Sequence, residues 1–70
     1  MKKVEAVRIL EHEAQLARLR SELLRQMHTH LPDAKEQHLL LRTSLEEQEL
    51  AGFLESLAKA IMLNYWGPHS

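Results

Sequence analysis

Apolar residues recur with a helical period along the first part of the chain. From residue 3 to about 29 there is no Gly or Pro, and Ala, Leu, Arg, Glu and Gln dominate. These residue types lose little free energy on entering a helix. At about 100° per residue, one broad arc collects the apolar side chains and charged residues lie opposite. The arc contains Ile9, Leu10, Leu16, Ala17, Leu19, Leu23, Leu24, Met27 and Leu31. The pattern predicts one amphipathic helix over about residues 3–29.

Two charged residues, Glu13 and Arg20, interrupt this apolar arc. In one interpretation they lie at its edge, where their aliphatic stems cover apolar surface and their charges stay in water. In the other they form ion pairs across an interface. The sequence leaves both open.

A turn is predicted over residues 29–33. The residue before a proline is disfavoured in helical geometry, so Pro32 ends the first helix near residues 28–31. Asp33 is a residue type suited to an N-cap, and Glu36 three positions later completes a capping-box pattern. A connection this short joins neighbouring antiparallel helices.

A second helix is predicted over about residues 34–66, but its apolar stripe is interrupted. Residues 42–49 contain only Leu45 as an apolar residue. Two further capping-box patterns occur in this interval: Thr43 with Glu46, and Ser44 with Glu47. The sequence therefore allows either a continuous or kinked helix, or a break near residues 42–44 that separates a short helix from a longer one.

The apolar stripe resumes after Glu49, and we divide it between a core and an interface. The predicted hairpin core is Ile9, Leu16, Leu23, Met27, Leu54 and Ala58. The predicted partner interface is Leu50, Phe53, Leu57, Ile61, Leu63, Tyr65 and Trp66. The last three either close the end of the hairpin or anchor a second polypeptide, a role for which Tyr and Trp are enriched. Gly67 and Pro68 stop the helix, so residues 67–70 are expected to be a frayed tail.

The chain is short enough to need help in folding. Its 70 residues form a single all-α domain whose core is marginal, because small domains bury a low fraction of their surface. It contains no cysteine, so disulfides and thiolate metal sites are excluded. We therefore expect an oligomer, formed with a partner chain or a second copy.

Charge and hydropathy limit the possible partners. The net charge is −1. Residues 1–31 carry six Lys or Arg and four Glu, whereas residues 32–70 carry three Lys or Arg and six Asp or Glu. This asymmetry modestly favours antiparallel contact between the halves. Neither half has the basic stripe typical of nucleic-acid binding. The chain shows no apolar run typical of a signal peptide or a membrane span, so we expect a cytoplasmic protein without membrane insertion.

The candidate chemistry is sparse. His28, His30 and His38 cluster around the turn, and imidazoles beside carboxylates can bind metals. This spacing is not specific, and solvated histidines at a helix end explain it as well. The sequence has no nucleophilic cysteine, no Gly-rich phosphate loop and no convincing Ser-His-Asp order. We expect no enzyme activity and no cofactor.

Several features resemble a known family. They are the Leu-rich first helix, Asp33-Ala34-Lys35 followed by Gln37, Leu54-Glu55-Ser56, Ala60-Ile61 and the aromatic end at Tyr65. Together they resemble the small co-chaperones of the type III secretion needle subunit, the YscE-like family. Pro32 stands where that family's pattern has a glycine-type turn, and residues 38–53 are about two helical turns longer. The resemblance implies a helical hairpin that pairs with a larger helical-repeat chaperone and keeps the needle subunit soluble.

Two other functions compete with this hypothesis. Two hairpins can self-associate into a four-helix bundle, which makes a structural or adaptor homodimer. The third hypothesis is a small regulator that binds nucleic acid or a transcription factor. Its support is that Arg8, Arg18 and Arg25 line one side of the first helix. The interspersed glutamates make this third function the least favoured.

Overall fold

The computed structural model describes the chain from residue 2 to residue 66, with side chains placed through Asn64. Helix α1 runs Lys3–His28 and helix α2 runs Ala34–Trp66. The two helices pack side by side in an elongated molecule of 55 × 16 × 14 Å. The all-α antiparallel hairpin is therefore confirmed. The predicted frayed tail at 67–70 lies outside the described residues.

The turn forms at the predicted position. Asp33 Oδ1 accepts a hydrogen bond of 2.9 Å from the backbone N–H of Lys35, which satisfies one of the free donors at the start of α2. The side-chain amide of Gln37 donates to the carbonyl oxygen of Leu31. At the other end of the turn, Thr29 Oγ1 donates to the carbonyl oxygen of Gln26 over 2.9 Å. These bonds fix the chain reversal at both ends.

Helix α2 is continuous through residues 42–44, so the alternative of a break there is not observed. The two hydroxyl groups that suggested a cap have other partners. Thr43 Oγ1 donates to the carbonyl oxygen of Leu39, four residues earlier in the same helix. Ser44 is buried and bonds across to Ser21 on α1. Neither hydroxyl is free to cap a new helix.

The helices meet along a line of small side chains, which we call the seam. Its members are the buried residues Val7, Ala14, Ala17 and Ser21 on α1, and Ser44, Ala51 and Ala58 on α2. Most of them recur every seven residues, which keeps them on one side of a helix that packs along its length. Small side chains allow the helix axes to approach closely, since the interaxial distance is set by the residues at the contact.

Hydrogen bonds tie the seam together at one level. Ser44 Oγ donates to the carbonyl oxygen of Ser21 over 2.9 Å, and the two hydroxyl oxygens are also 2.9 Å apart. Because the Ser44 proton is used by the carbonyl, the Ser21 hydroxyl donates to Ser44 Oγ. Both buried hydroxyl groups are thereby satisfied, which avoids the cost of burying a polar group without a partner.

The structure corrects the predicted core. Ile9, Leu23 and Met27 are exposed rather than buried, and Leu16 is only half-buried. The expectation took the centre of the apolar arc as the packing side. The hairpin instead closes on the edge of that arc, where Ala14, Ala17 and Ser21 lie. Of the other predicted core residues, Ala58 is buried and Leu54 packs, partly buried, against the alanines of the seam.

Candidate functional site

Seven large apolar side chains lie uncovered on one side of the hairpin. We call them the open face: Ile9, Leu23 and Met27 on α1, and Leu39, Leu50, Phe53 and Leu57 on α2. Each is between 39% and 64% exposed. Burying large apolar side chains is the main driving force of folding and association, so their exposure needs an explanation.

Helical geometry places both groups on the same side. Ile9 and Leu23 follow the seam residues Val7 and Ser21 by two positions, and Phe53 follows Ala51 by two. At about 100° per residue, this spacing rotates each of them in the same sense away from the seam. An approximate two-fold axis perpendicular to their common plane relates antiparallel helices. Residues that are displaced from the seam by the same angle on α1 and on α2 therefore lie on the same side of the hairpin.

Two ion pairs between the helices mark the two sides. On the open side Arg20 Nε donates to Glu47 Oε2 over 3.1 Å. On the opposite side the guanidinium of Arg18 makes two hydrogen bonds to the Glu55 carboxylate, one of them 3.0 Å long. Both pairs join an arginine of α1 to a glutamate of α2, in keeping with the charge asymmetry of the sequence. Arg18, one of the arginines considered for nucleic-acid binding, is thus already engaged.

The Arg18–Glu55 pair shifts the acidity of both groups. Hydrogen bonds from Arg18 hold the pKa of the Glu55 carboxyl below its ordinary value; desolvation opposes this shift, and the charge of Arg18 adds to it. Hydrogen bonding and charge from Glu55 raise the pKa of Arg18 in turn. Both side chains are about half exposed, so water and salt weaken the pair. The pair joins α1 to α2 on the side opposite the open face.

The predicted interface residues divide between the two sides. Leu50, Phe53 and Leu57 belong to the open face, and Ile61 is half-buried at its margin. Leu63 is exposed, but its position on the helix turns it toward the opposite side. The side chains of Tyr65 and Trp66 lie outside the described residues, so their predicted role stays a prediction.

The α1 half of the open face was missed, because Ile9, Leu23 and Met27 had been assigned to the core. A sequence signal for the correct assignment existed. Small residues recur at intervals of seven on both helices, as Ala14 with Ser21 and as Ser44 with Ala51 and Ala58. Matching small-residue repeats on two adjacent helices indicate a close-packed contact, which leaves the larger neighbours outside.

The described chain offers little else that could be a site. Among residues 2–66, no group of three His, Cys, Asp or Glu side chains is placed to hold a metal ion, so His28, His30 and His38 do not form a metal site there. Neither α1 nor α2 combines the length and the apolarity that crossing a membrane requires. The open face is the feature that carries a functional argument.

Comparisons with protein-family models, with curated proteins and with solved structures gave no match to this chain.

Proposed function

We propose that this protein is a binding module whose open face packs against another polypeptide. The observation that carries the proposal is that different side chains form the helix contact and the exposed apolar surface. Small residues hold the hairpin together, and seven large apolar residues remain on one side. Taking about 150–200 Å² for a whole side chain, the seven expose on the order of 600 Å² together. Monomeric proteins rarely expose more than a few hundred Å² of apolar surface on one side, and larger exposed apolar surfaces mark interaction sites.

The shape of the open face favours a helical partner. On α1 it extends from Ile9 to Met27, which corresponds to about 27 Å along the helix axis. It is two helices wide and lined by aliphatic side chains with one aromatic residue, Phe53. Ridges of side chains on helices pack into the grooves of other helices, and helical repeats present long concave surfaces of matching length.

The more specific role in the proposal is that of a cytoplasmic co-chaperone. It would pair with a helical-repeat chaperone to keep a secretion-needle subunit soluble. Its support is the resemblance of Asp33-Ala34-Lys35, Leu54-Glu55-Ser56 and Ala60-Ile61 to the YscE-like family. The open face suits this role, since a co-chaperone must present apolar surface to its chaperone.

Matched double variants test the binding module. Leu23→Gln with Leu39→Gln changes two open-face residues that are 56% and 58% exposed. Leu19→Gln with Leu45→Gln is the control, because Leu19 and Leu45 are 66% and 57% exposed but lie outside the open face. Gln has a helix propensity close to that of Leu, so both variants should keep the hairpin folded.

The assay is co-expression with a candidate helical-repeat chaperone and needle subunit, followed by size-exclusion chromatography. The natural chain and the Leu19/Leu45 control are expected to co-elute with the chaperone, and the Leu23/Leu39 variant is expected to lose it. At a dilution where both chains are monomeric, the Leu23/Leu39 variant should bind less of an apolar dye than the natural chain. The binding module is refuted if the free chain binds no dye, stays a folded monomer and forms no complex. Dye binding without a complex would refute the co-chaperone role alone.

A further inference from the structure

We infer that the occupant of the open face in the free protein is a second copy of the chain, packed face to face in an antiparallel four-helix bundle. This inference rests on the proposed function, because it requires the open face to be a binding surface. Two such faces would bury on the order of 1,200 Å², which reaches the lower end of specific interfaces. The area is therefore sufficient for a stable homodimer.

The charges on the open side are self-complementary. Glu13 and Arg20 are seven residues apart on α1, about 10 Å along the axis, and both point to the open side. Within residues 2–66, Glu13 makes no ion pair, whereas Arg20 pairs with Glu47. A two-fold axis over the midpoint of 13 and 20 sets Glu13 opposite Arg20 of the second copy, twice per dimer. Each Arg20 would then lie between two carboxylates.

The same axis also passes through the middle of the apolar surface. The open face spans residues 9–27 on α1 and 39–57 on α2, with midpoints at 18 and 48. The midpoint between Glu13 and Arg20 lies within two residues of residue 18, the midpoint of the open face on α1. The seam pairs of Ser21 with Ser44 and of Ala14 with Ala51 place residue 48 of α2 at nearly the same height. A rotation about this axis therefore lays most of the open face on its copy.

This geometry fixes the orientation of the dimer. The two-fold axis runs across the helices, so α1 packs on α1 of the second copy and the two turns lie at opposite ends. A two-fold axis along the helices would also cover the open face, with α1 against α2 of the second copy. In that arrangement Arg20 would lie near Glu46 of the second copy, but Glu13 would lie opposite the region of Phe53 and gain no ion pair, so fewer of the charges would be paired. The charge pattern therefore favours the first orientation.

Sedimentation equilibrium tests the dimer. The natural chain and the Leu19/Leu45 control are expected to have twice the mass of one chain, and the Leu23/Leu39 variant should dissociate at least about 100-fold more readily, because four leucines per dimer are changed. A monomeric natural chain over a hundredfold concentration range overturns the homodimer. If that monomer still binds an apolar dye through the open face, the binding module survives. If the monomer binds no dye and forms no complex with the candidate chaperone, both fail.

A charge-reversal mixture tests the orientation. In a Glu13→Lys homodimer, each new lysine would face Arg20 of the second copy, and in an Arg20→Glu homodimer each new glutamate would face Glu13 of the second copy. Each variant alone should dimerise more weakly than the natural chain, by about tenfold or more. In a heterodimer of the two variants, one of the two contacts pairs the new lysine with the new glutamate and the other keeps the natural Glu13 and Arg20. Opposite charges therefore meet at both contacts, so native mass spectrometry of the mixture should show more than half of the dimers as heterodimers. Glu22→Lys, a reversal on the opposite side, is the control.

The results of the mixture have definite meanings. The Arg20→Glu change also opposes Glu47 within its own chain, but it does so in monomer and dimer alike. An excess of heterodimer supports the crossing two-fold axis. A statistical distribution of homodimers and heterodimers, or equal weakening by Glu22→Lys, overturns this orientation.

Discussion

Enlarging a seam residue should destabilise the hairpin more than enlarging an exposed one. Ala51 has no exposed surface and packs with Ala14 and Ala17. An Ala51→Leu substitution adds three carbon atoms there. If space were available, burying them would stabilise the fold by about 2.4 kcal/mol at ~0.8 kcal/mol per carbon. The seam has no such space, so the helices must separate, and overpacking of this kind costs about 1–3 kcal/mol. We expect a net loss of about 2 kcal/mol.

The matched control is Ala60→Leu, the same substitution at an exposed position of the same helix. Exposed substitutions of this kind usually change stability by less than about 0.5 kcal/mol. The assay is urea unfolding followed by circular dichroism, at a protein concentration where both variants are monomeric, because Ala60 lies seven residues after Phe53 and a leucine there would extend the open face. With a urea m-value of about 1 kcal/mol/M for a small domain, a loss of about 2 kcal/mol lowers the urea midpoint by about 2 M. If Ala51→Leu is as stable as Ala60→Leu, the small-residue seam is not where the helices meet.

Three further predictions follow from the polar contacts. In a double-mutant cycle, Ser44→Ala should lower the free energy of unfolding by about 1–2 kcal/mol. The double variant Ser21→Ala, Ser44→Ala should lose about 1 kcal/mol less than the two single variants added together, because it leaves no buried hydroxyl without a partner. Additive losses would contradict the coupling between the two serines. Asp33→Ala should lose about 1 kcal/mol in thermal unfolding while Asp33→Asn retains most of it, since Asn also caps helices; equal losses would contradict the cap. The lowered pKa of Glu55 means that its pairing with Arg18 stabilises the fold above the unfolded-state pKa, about 4.3 for glutamate, and that this contribution is lost over the acidic interval below it, as the pH falls through the folded-state pKa. The natural chain should therefore lose slightly more stability over that interval than Glu55→Gln, and an identical pH profile for the two would show that the pair contributes nothing.

Much of the fold was predictable because its signals are local. Pro32 ends the first helix and Asp33 begins the second through their own backbone and side-chain chemistry. The capping patterns at 43–47 suggested a helix start that is not observed, because the hydrogen-bond partner of Ser44 is distant in the sequence. Whether Ser44 caps a helix or bonds across to Ser21 depends on a residue 23 positions away, which no local pattern contains.

The choice of packing side could not be settled by hydrophobicity alone. The apolar arc of α1 is broad, and both its centre, with Ile9 and Leu23, and its edge, with Ala14 and Ser21, could face α2. The periodicity identifies the arc, while the contact within it depends on how closely the helices approach. In this chain the close approach of small residues decides the contact, and the larger side chains are left for another polypeptide.

The central claim is that small residues form the hairpin contact while the large apolar residues stay outside it. It is tested most directly by methyl nuclear Overhauser effects in the Leu23→Gln, Leu39→Gln variant, at a concentration where that variant is monomeric. We predict cross-peaks between the methyl groups of Ala14 and Ala51, and none between Ile9 and Leu57. Cross-peaks between Ile9 and Leu57 in the monomer, without the alanine pair, would contradict the account.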